Sequence, residues 1–263
     1  MRSNYNLDDL IKCWNKLNIT KGDVVYVTGN LSYLGLYKTP KKILPDYYNT
    51  LINAIGKKGT IVFPTHSWTL VKSNKTFSPK HTPSETGVLT EYLRVQKGAY
   101  RQFHPFSSIS AIGKYAKYIT ESKSKHANGP NSPFDKIIKL NAKFISIGLA
   151  PNLTCSQIHH IEFMLGVPYR FVKEFNVKIK KKKFFRERFY LSVCYSEIKD
   201  NHRDKNKKIF DNFKKKKKIY THKLGKGNIY SYSINDFYKE TMSLMENDIY
   251  IWLKKMPKIK KWI

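Results

Sequence analysis

Acidic residues are scarce: 19 Asp and Glu stand against 49 Lys and Arg, a formal net charge of +30. Arginine is scarce too, found only at positions 2, 94, 101, 170, 186, 188 and 203, so nearly all the positive charge is lysine. That shortage argues against nucleic-acid recognition as the main task, because bidentate reading of phosphate and guanine favours arginine's planar fork. Cysteine occurs only as Cys13, Cys155 and Cys194, far apart and without CxxC spacing, which reads as reduced thiols. With no HExxH or paired-cysteine motif, no metal is expected. No run of about 18 apolar residues exists, so no membrane span is expected. No apolar stretch follows the basic start, so the N-terminus does not read as a signal peptide and a cytoplasmic location is expected.

What is present reads as a folded chain, with 41% hydrophobic and 14% aromatic residues. Leu7, Leu10, Ile11, Trp14 and Leu17 recur at helical spacing behind the cap residue Asn6. "VVYV", "GTIVFP" and "AKFISIGL" are short apolar runs that read as buried strands. Between and after them, helices are expected through Ile43–Ile55, over "TGVLTEYLRV" and over "CSQIHHIEFMLG". This alternation predicts an α/β layered fold with a parallel or mixed sheet. After "VPYR" the character changes. Residues 170–226 carry roughly half the excess charge, about +15, and begin with two aromatic, β-branched segments that predict a lysine-rich antiparallel hairpin. A capped amphipathic helix follows, with Phe237, Met245, Ile249 and Trp252 on its apolar stripe. The basic tail "KKMPKIKKWI" reads as a frayed terminus. Without a long linker or internal repeat, residues 1–263 are expected to form one domain, with 170–226 peripheral.

The residues with chemistry to offer centre on "CSQIHHIEF". On a helix, Ile158, Ile161 and Leu165 share the core face, while His159 and Glu162 are neighbours three residues apart on the other side. A carboxylate beside an imidazole holds one nitrogen's proton and leaves the other as a base. The same spacing equally fits an ordinary surface pair. Cys155, one turn before His159, reads either as a nucleophile or as a buried thiol. Two further stretches carry candidates. "FPTHSW" ends a strand with Thr65 and His66, where open α/β sheets place ligand groups. "HPFSSIS" sets His104 before Ser107 and Ser108, and "TGNLSYLG" forms a small-residue loop after the first strand.

In order and spacing these pieces resemble the aminoglycoside 3-N-acetyltransferase family. Its motifs run approximately "VHSSLSSLG", "GTLVMPT", "P..MG.L.E..R", "HPTHS..A.G", "SPF..L" and "LH.AEY..GVPY". The corresponding stretches here are "VTGNLSYLG" (27–35), "GTIVFPT" (59–65), "PSETGVLTEYLR" (83–94), "HPFSSISAIG" (104–113), "SPFDKI" (132–137) and "IHHIEFMLGVPY" (158–169). The resemblance implies a three-layer α/β sandwich around a central mixed sheet and acetyl transfer from acetyl-CoA to an amine, without a metal. It places the catalytic histidine and glutamate at His159 and Glu162. It sets Asn30, Leu31 and Ser32 at the pantetheine arm, with the 29–32 backbone, Ser107 or Ser108 as oxyanion donors. Thr65, His66 and His104 are expected at the acceptor.

Two departures bear on the acceptor. Thr28 and Ser107 stand where the family has histidines. A surface of charge +30 also repels polycations and attracts anions. Together these predict a nucleotide-linked amino sugar for surface polysaccharide, with no specific nucleic-acid partner and a homodimer left open. An aminoglycoside is the alternative acceptor, and a basic nucleic-acid or anionic-surface binding module is the alternative of another class.

Overall fold

The computed structural model describes residues 4–73, 75–122, 124–196 and 207–254; most of the basic tail lies outside them. In chain order the elements are α1 (Leu7–Lys16), β1 (Val24–Gly29), α2 (Ile43–Ile55), β2 (Thr60–Pro64), α3 (Val88–Arg94), β3 (Tyr100–Arg101) and β4 (Ile109–Gly113). Then come α4 (Ala116–Thr120), α5 (Pro133–Lys139), β5 (Lys143–Ile147), α6 (Pro151–Thr154), α7 (Ile158–Met164), β6 (Arg170–Lys180) and β7 (Phe184–Cys194). The chain closes with α8 (Lys208–Lys215), β8 (Tyr220–Leu224), β9 (Gly227–Ser233) and α9 (Ile234–Asn247).

Seven strands form one mixed sheet in the order β3-β4-β2-β1-β5-β9-β8. β1 pairs parallel with β2 on one side and β5 on the other, while β4 and β9 join antiparallel. Alternation of side chains along the strands supplies a core on each face. Val24, Tyr26 and Phe144 face α4, α5, α7, α8 and α9. Val25, Val27, Ile145 and Ile147 face α1, α2 and α3. The fold is therefore a three-layer α/β sandwich with a mixed sheet. At the start of α1, Asn6 Oδ1 accepts from Asp9 N at 3.1 Å and Asp9 Oδ2 from Asn6 N at 3.0 Å, a reciprocal cap.

β6 and β7 form a separate antiparallel hairpin. Its inner face sets Val177, Ile179, Phe189 and Leu191 against Leu70, Phe77, Phe106 and Ala127, a third apolar cluster. Residue 77 adds a short third edge, donating to Lys178 O at 2.9 Å and accepting from Lys180 N at 2.8 Å.

Two sequence expectations change. α7 begins at Ile158 rather than Cys155, because Cys155 ends the short helix α6 in a non-helical conformation (ψ 78°) and a turn at Ser156 follows. α9 ends at Asn247, so Ile249 and Trp252 pack onto the core from the segment beyond it. "LGKGN" is the turn of the β8–β9 hairpin, which extends the main sheet. No helix among the described residues is long and apolar enough to cross a membrane.

Candidate active site

The chain leaves β1 to build β2 on one side and returns to build β5 on the other. The crevice beyond the carboxyl ends of β1 and β5 is thus the topological switch point, where open α/β sheets bind ligands. A cleft of about 440 Å³ lies there, walled by Thr28–Leu31, Ile147 and Leu149 on one side and residues 85–90 on the other. Two glycines let its loops close up. A Cβ at Gly29 would sit 2.1 Å from Ile147 O, and one at Gly148 2.3 Å from Asn30 O, both at positive φ.

His159 and Glu162 come together as the spacing predicted. Nδ1 of His159 lies 2.8 Å from Glu162 Oε2. The carboxylate accepts, so the proton sits on Nδ1 and Nε2 is the basic nitrogen. The pair is not a surface pair, however. Glu162 is 1% exposed while His159 is 25% exposed, so the imidazole meets solutes and its partner does not. His160 points the other way, buried, with Nδ1 accepting from Gly129 N at 3.2 Å. Burial pushes its pKa down to about 4. Cys155 is buried in the core beside Tyr232 and Tyr26 rather than one helical turn from His159.

The other expected site residues divide. Asn30 and Leu31 line the cleft. Ser32 does not: its N and Oγ both bond Asn30 Oδ1, at 3.0 and 2.8 Å. His66 lies close enough to His159 for the two rings' charges to oppose, and its carbonyl accepts from Glu85 N at 2.8 Å on the cleft wall. Burial first, then His159, His104 and Arg101, lower its pKa to about 3. Neither His66 nor His159 itself lines the cleft.

Thr65, His104 and Ser108 are each 0% exposed, which corrects their expected contact with ligand. Ser108 Oγ donates to Thr65 O at 2.7 Å and accepts from Arg101 Nε at 2.9 Å. His104 packs edge-on between Phe106 and Phe189, its Nδ1 accepting from Ser107 N at 3.1 Å, and burial lowers its pKa to about 3. Of the expected oxyanion donors, Asn30 N is committed to Ile147 O, Ser32 N to Asn30 Oδ1 and Ser108 Oγ to Thr65 O.

Three functional positions escaped the sequence reading. Glu85 is the charged residue of the cleft wall, its carboxylate accepting from Thr69 N at 3.1 Å. Arg101 anchors that wall from behind, donating to Thr65 O at 2.6 Å, Ser67 Oγ at 3.0 Å and Thr82 O. Arg170 meets Glu162 Oε2 at 2.8 Å. The available signal was rarity, since two of only seven arginines lie here. Among the described residues no group of three or more His, Cys, Asp or Glu side chains is arranged to hold a metal.

The fold and site are those of an α/β protein that presents a histidine–carboxylate pair beside a switch-point cleft. The profile of the family "Aminoglycoside 3-N-acetyltransferase" (Antibiotic_NAT) matches residues 28–246, and the chain belongs to that family. Aminoglycoside N(3)-acetyltransferase III of Salmonella sp is 26% identical over 172 residues, which is 58% of this chain and 58% of that relative. The chain thus spans under two thirds of the relative's length. Among solved structures, AAC-IIIb in binary complex with CoASH superposes with TM-score 0.78 at 19% identity, covering 92% of this chain and 96% of that one. AAC-VIa bound to sisomicin gives TM-score 0.78 at 19% identity, covering 92% and 98%.

Proposed function

We propose that the protein transfers the acetyl group of acetyl-CoA to an amino group of an aminoglycoside. The observation that carries the reading is the partly exposed His159 held through Nδ1 by the buried Glu162. His159 Nε2 takes a proton from the acceptor amine as its nitrogen attacks the thioester carbon. A C–N bond forms, the C–S bond breaks, and CoA leaves as the thiolate. Glu162 orients the ring and stabilises the imidazolium that results. Asn30 and Leu31 would meet the pantetheine arm, and Glu85 offers the carboxylate that a polycationic acceptor needs.

The comparisons support an aminoglycoside over the nucleotide-linked amino sugar expected from net charge. The cleft supports it too, since no lysine or arginine lines it. A nucleotide-linked acceptor remains the second reading, favoured by the +30 charge and by Thr28 and Ser107. Release of free CoA thiol from acetyl-CoA, with aminoglycosides and nucleotide-linked amino sugars side by side, tests both. Turnover of an aminoglycoside that falls at least about a hundredfold in His159→Asn is expected. Turnover confined to nucleotide sugars overturns the acceptor, and an unaffected His159→Asn overturns the base.

A further inference from the structure

Glu162 meets two nitrogen groups, the His159 imidazole from its own helix and the Arg170 guanidinium from β6. Arg170 opens β6 and lays Nε 2.8 Å from Glu162 Oε2, the oxygen that also receives His159 Nδ1. Its Nη1 donates to Ser192 O at 3.1 Å, fastening the guanidinium across the hairpin. The arginine side chain is 8% exposed and the glutamate 1%, so the pair is screened little by water. The Nε–H does not point along the line to the oxygen, so charge holds the contact more than an aligned hydrogen bond does. Tyr169, the preceding residue, is buried beside the same carboxylate, and burial and the carboxylate's charge push its phenol up, keeping it neutral.

We propose that Arg170 is a positioning residue for the base: it neutralises the Glu162 carboxylate, so that Glu162 orients His159 without making it too basic to work near neutral pH. The role rests on the reading of His159 as general base. A buried carboxylate in contact with an imidazole favours the imidazolium, by about 1–3 pH units for a close opposite charge. Such a histidine would stay protonated at neutral pH and accept nothing. A guanidinium on the same oxygen opposes that effect while leaving the oxygen free to accept from Nδ1. Arginine is suited to this because it stays charged when buried and its fork reaches Glu162 and Ser192 together. The other titratable groups facing the pair are His66, from the segment after β2, whose charge opposes that of His159, and Tyr169 with its neighbour Cys194 on the hairpin side. Neither Tyr169 nor His66, both neutral at pH 7, replaces the charge of Arg170.

The test is the acid limb of the kcat–pH profile, paired with an NMR titration of the His159 ring signal assigned through His159→Asn. Arg170→Lys keeps the charge and is expected to leave the limb within a few tenths of a pH unit. Arg170→Gln removes it and is expected to move the limb up by about one unit. Glu162→Gln alone should move it down. The double variant Glu162→Gln/Arg170→Gln, which removes both charges and so leaves none buried alone, should return close to the wild-type limb. An unmoved limb in Arg170→Gln overturns the proposal, as does a double variant displaced as far as Glu162→Gln. If Arg170→Gln does not fold, the double variant against Glu162→Gln decides. The NMR titration reads the charge whether or not His159 is catalytic, so a fully active His159→Asn sinks the functional reading without touching this measurement.

Discussion

Acid should weaken this protein from about pH 6 downward, because imidazoles are held neutral in the fold, His104 and His160 being the most buried of them. His104 is 0% exposed and its pKa is lowered to about 3 by burial, against a smaller opposing effect of the hydrogen bond to Tyr190 O and with the least effect from His126. His160 is 1% exposed and lowered to about 4, by burial, with Asp135 opposing and Lys139 assisting. In the unfolded chain both titrate near 6.5. The sign follows: below pH 6.5 the unfolded state binds protons that the native state refuses, so stability present above 6.5 is lost as pH falls toward 4. At pH 4.5 each histidine has cost about 2.6 kcal/mol, and the two together about 5 kcal/mol, on the order of half a typical domain's stability. The assay is urea unfolding between pH 7 and 4.5, followed by fluorescence of the buried Trp14 and Trp252. Below about pH 6 the unfolding free energy should drop by about 2–3 kcal/mol per pH unit from these two groups. His104→Asn keeps an acceptor near the Nδ1 position and should lower the measured slope by about 1 kcal/mol per pH unit. A free energy flat from pH 7 to 5, or a slope unchanged in His104→Asn, would refute the reasoning.

Two further outcomes are expected. Lys178 and Arg186 stand directly opposite across the hairpin, both exposed, so Lys178→Glu should stabilise by roughly 0.2–1 kcal/mol in a low-salt urea midpoint and by less at high salt; a loss of stability would show that the pair is not repulsive. Cys155→Ala should retain kcat within about threefold and lose about 1 kcal/mol of stability from a 4%-exposed core position. Intact mass of wild type incubated with acetyl-CoA alone should show no added acetyl group, and an acetyl on Cys155 would restore the covalent route.

The layered fold was legible because the strands announce themselves. "VVYV" and "GTIVFP" are buried on both faces and so read as continuous apolar runs, and the caps at Asn6 and Gly56 bound their helices. β8 and β9 were not legible. β8 is the sheet edge and mostly exposed, β9 beside it is only partly buried, and lysines at Lys223 and Lys226 interrupt any apolar run. In the site, the His159–Glu162 pair followed from spacing alone, but its burial did not. An i,i+3 pair looks the same on a wet face and on one capped by a later strand, and the cap here is Arg170, eight residues on. Thr65, Ser108 and His104 were read as ligand groups because they end strands or stand by turns. Arg101 and the third apolar cluster claim their polar atoms instead, and both depend on contacts made far along the sequence.

The charge argument shows where composition stops being a guide to a site. A net charge of +30 is a statement about long-range steering, and it falls away beyond about 8–10 Å at physiological salt. Much of that charge sits on the hairpin and on the segment up to Lys226, at exposed positions such as Lys178, Lys180 and Arg186. The cleft at the carboxyl ends of β1 and β5 is walled by glycine, threonine, leucine and one carboxylate. A ligand seated there meets Glu85 at contact distance and the lysines only through water and salt. On the proposed function, the lysine surface would raise the encounter rate of anionic CoA, while the acceptor's selection would be left to short-range groups. In the proposed reaction, global charge and local charge therefore point to different partners, and only the local one speaks for the proposed amine.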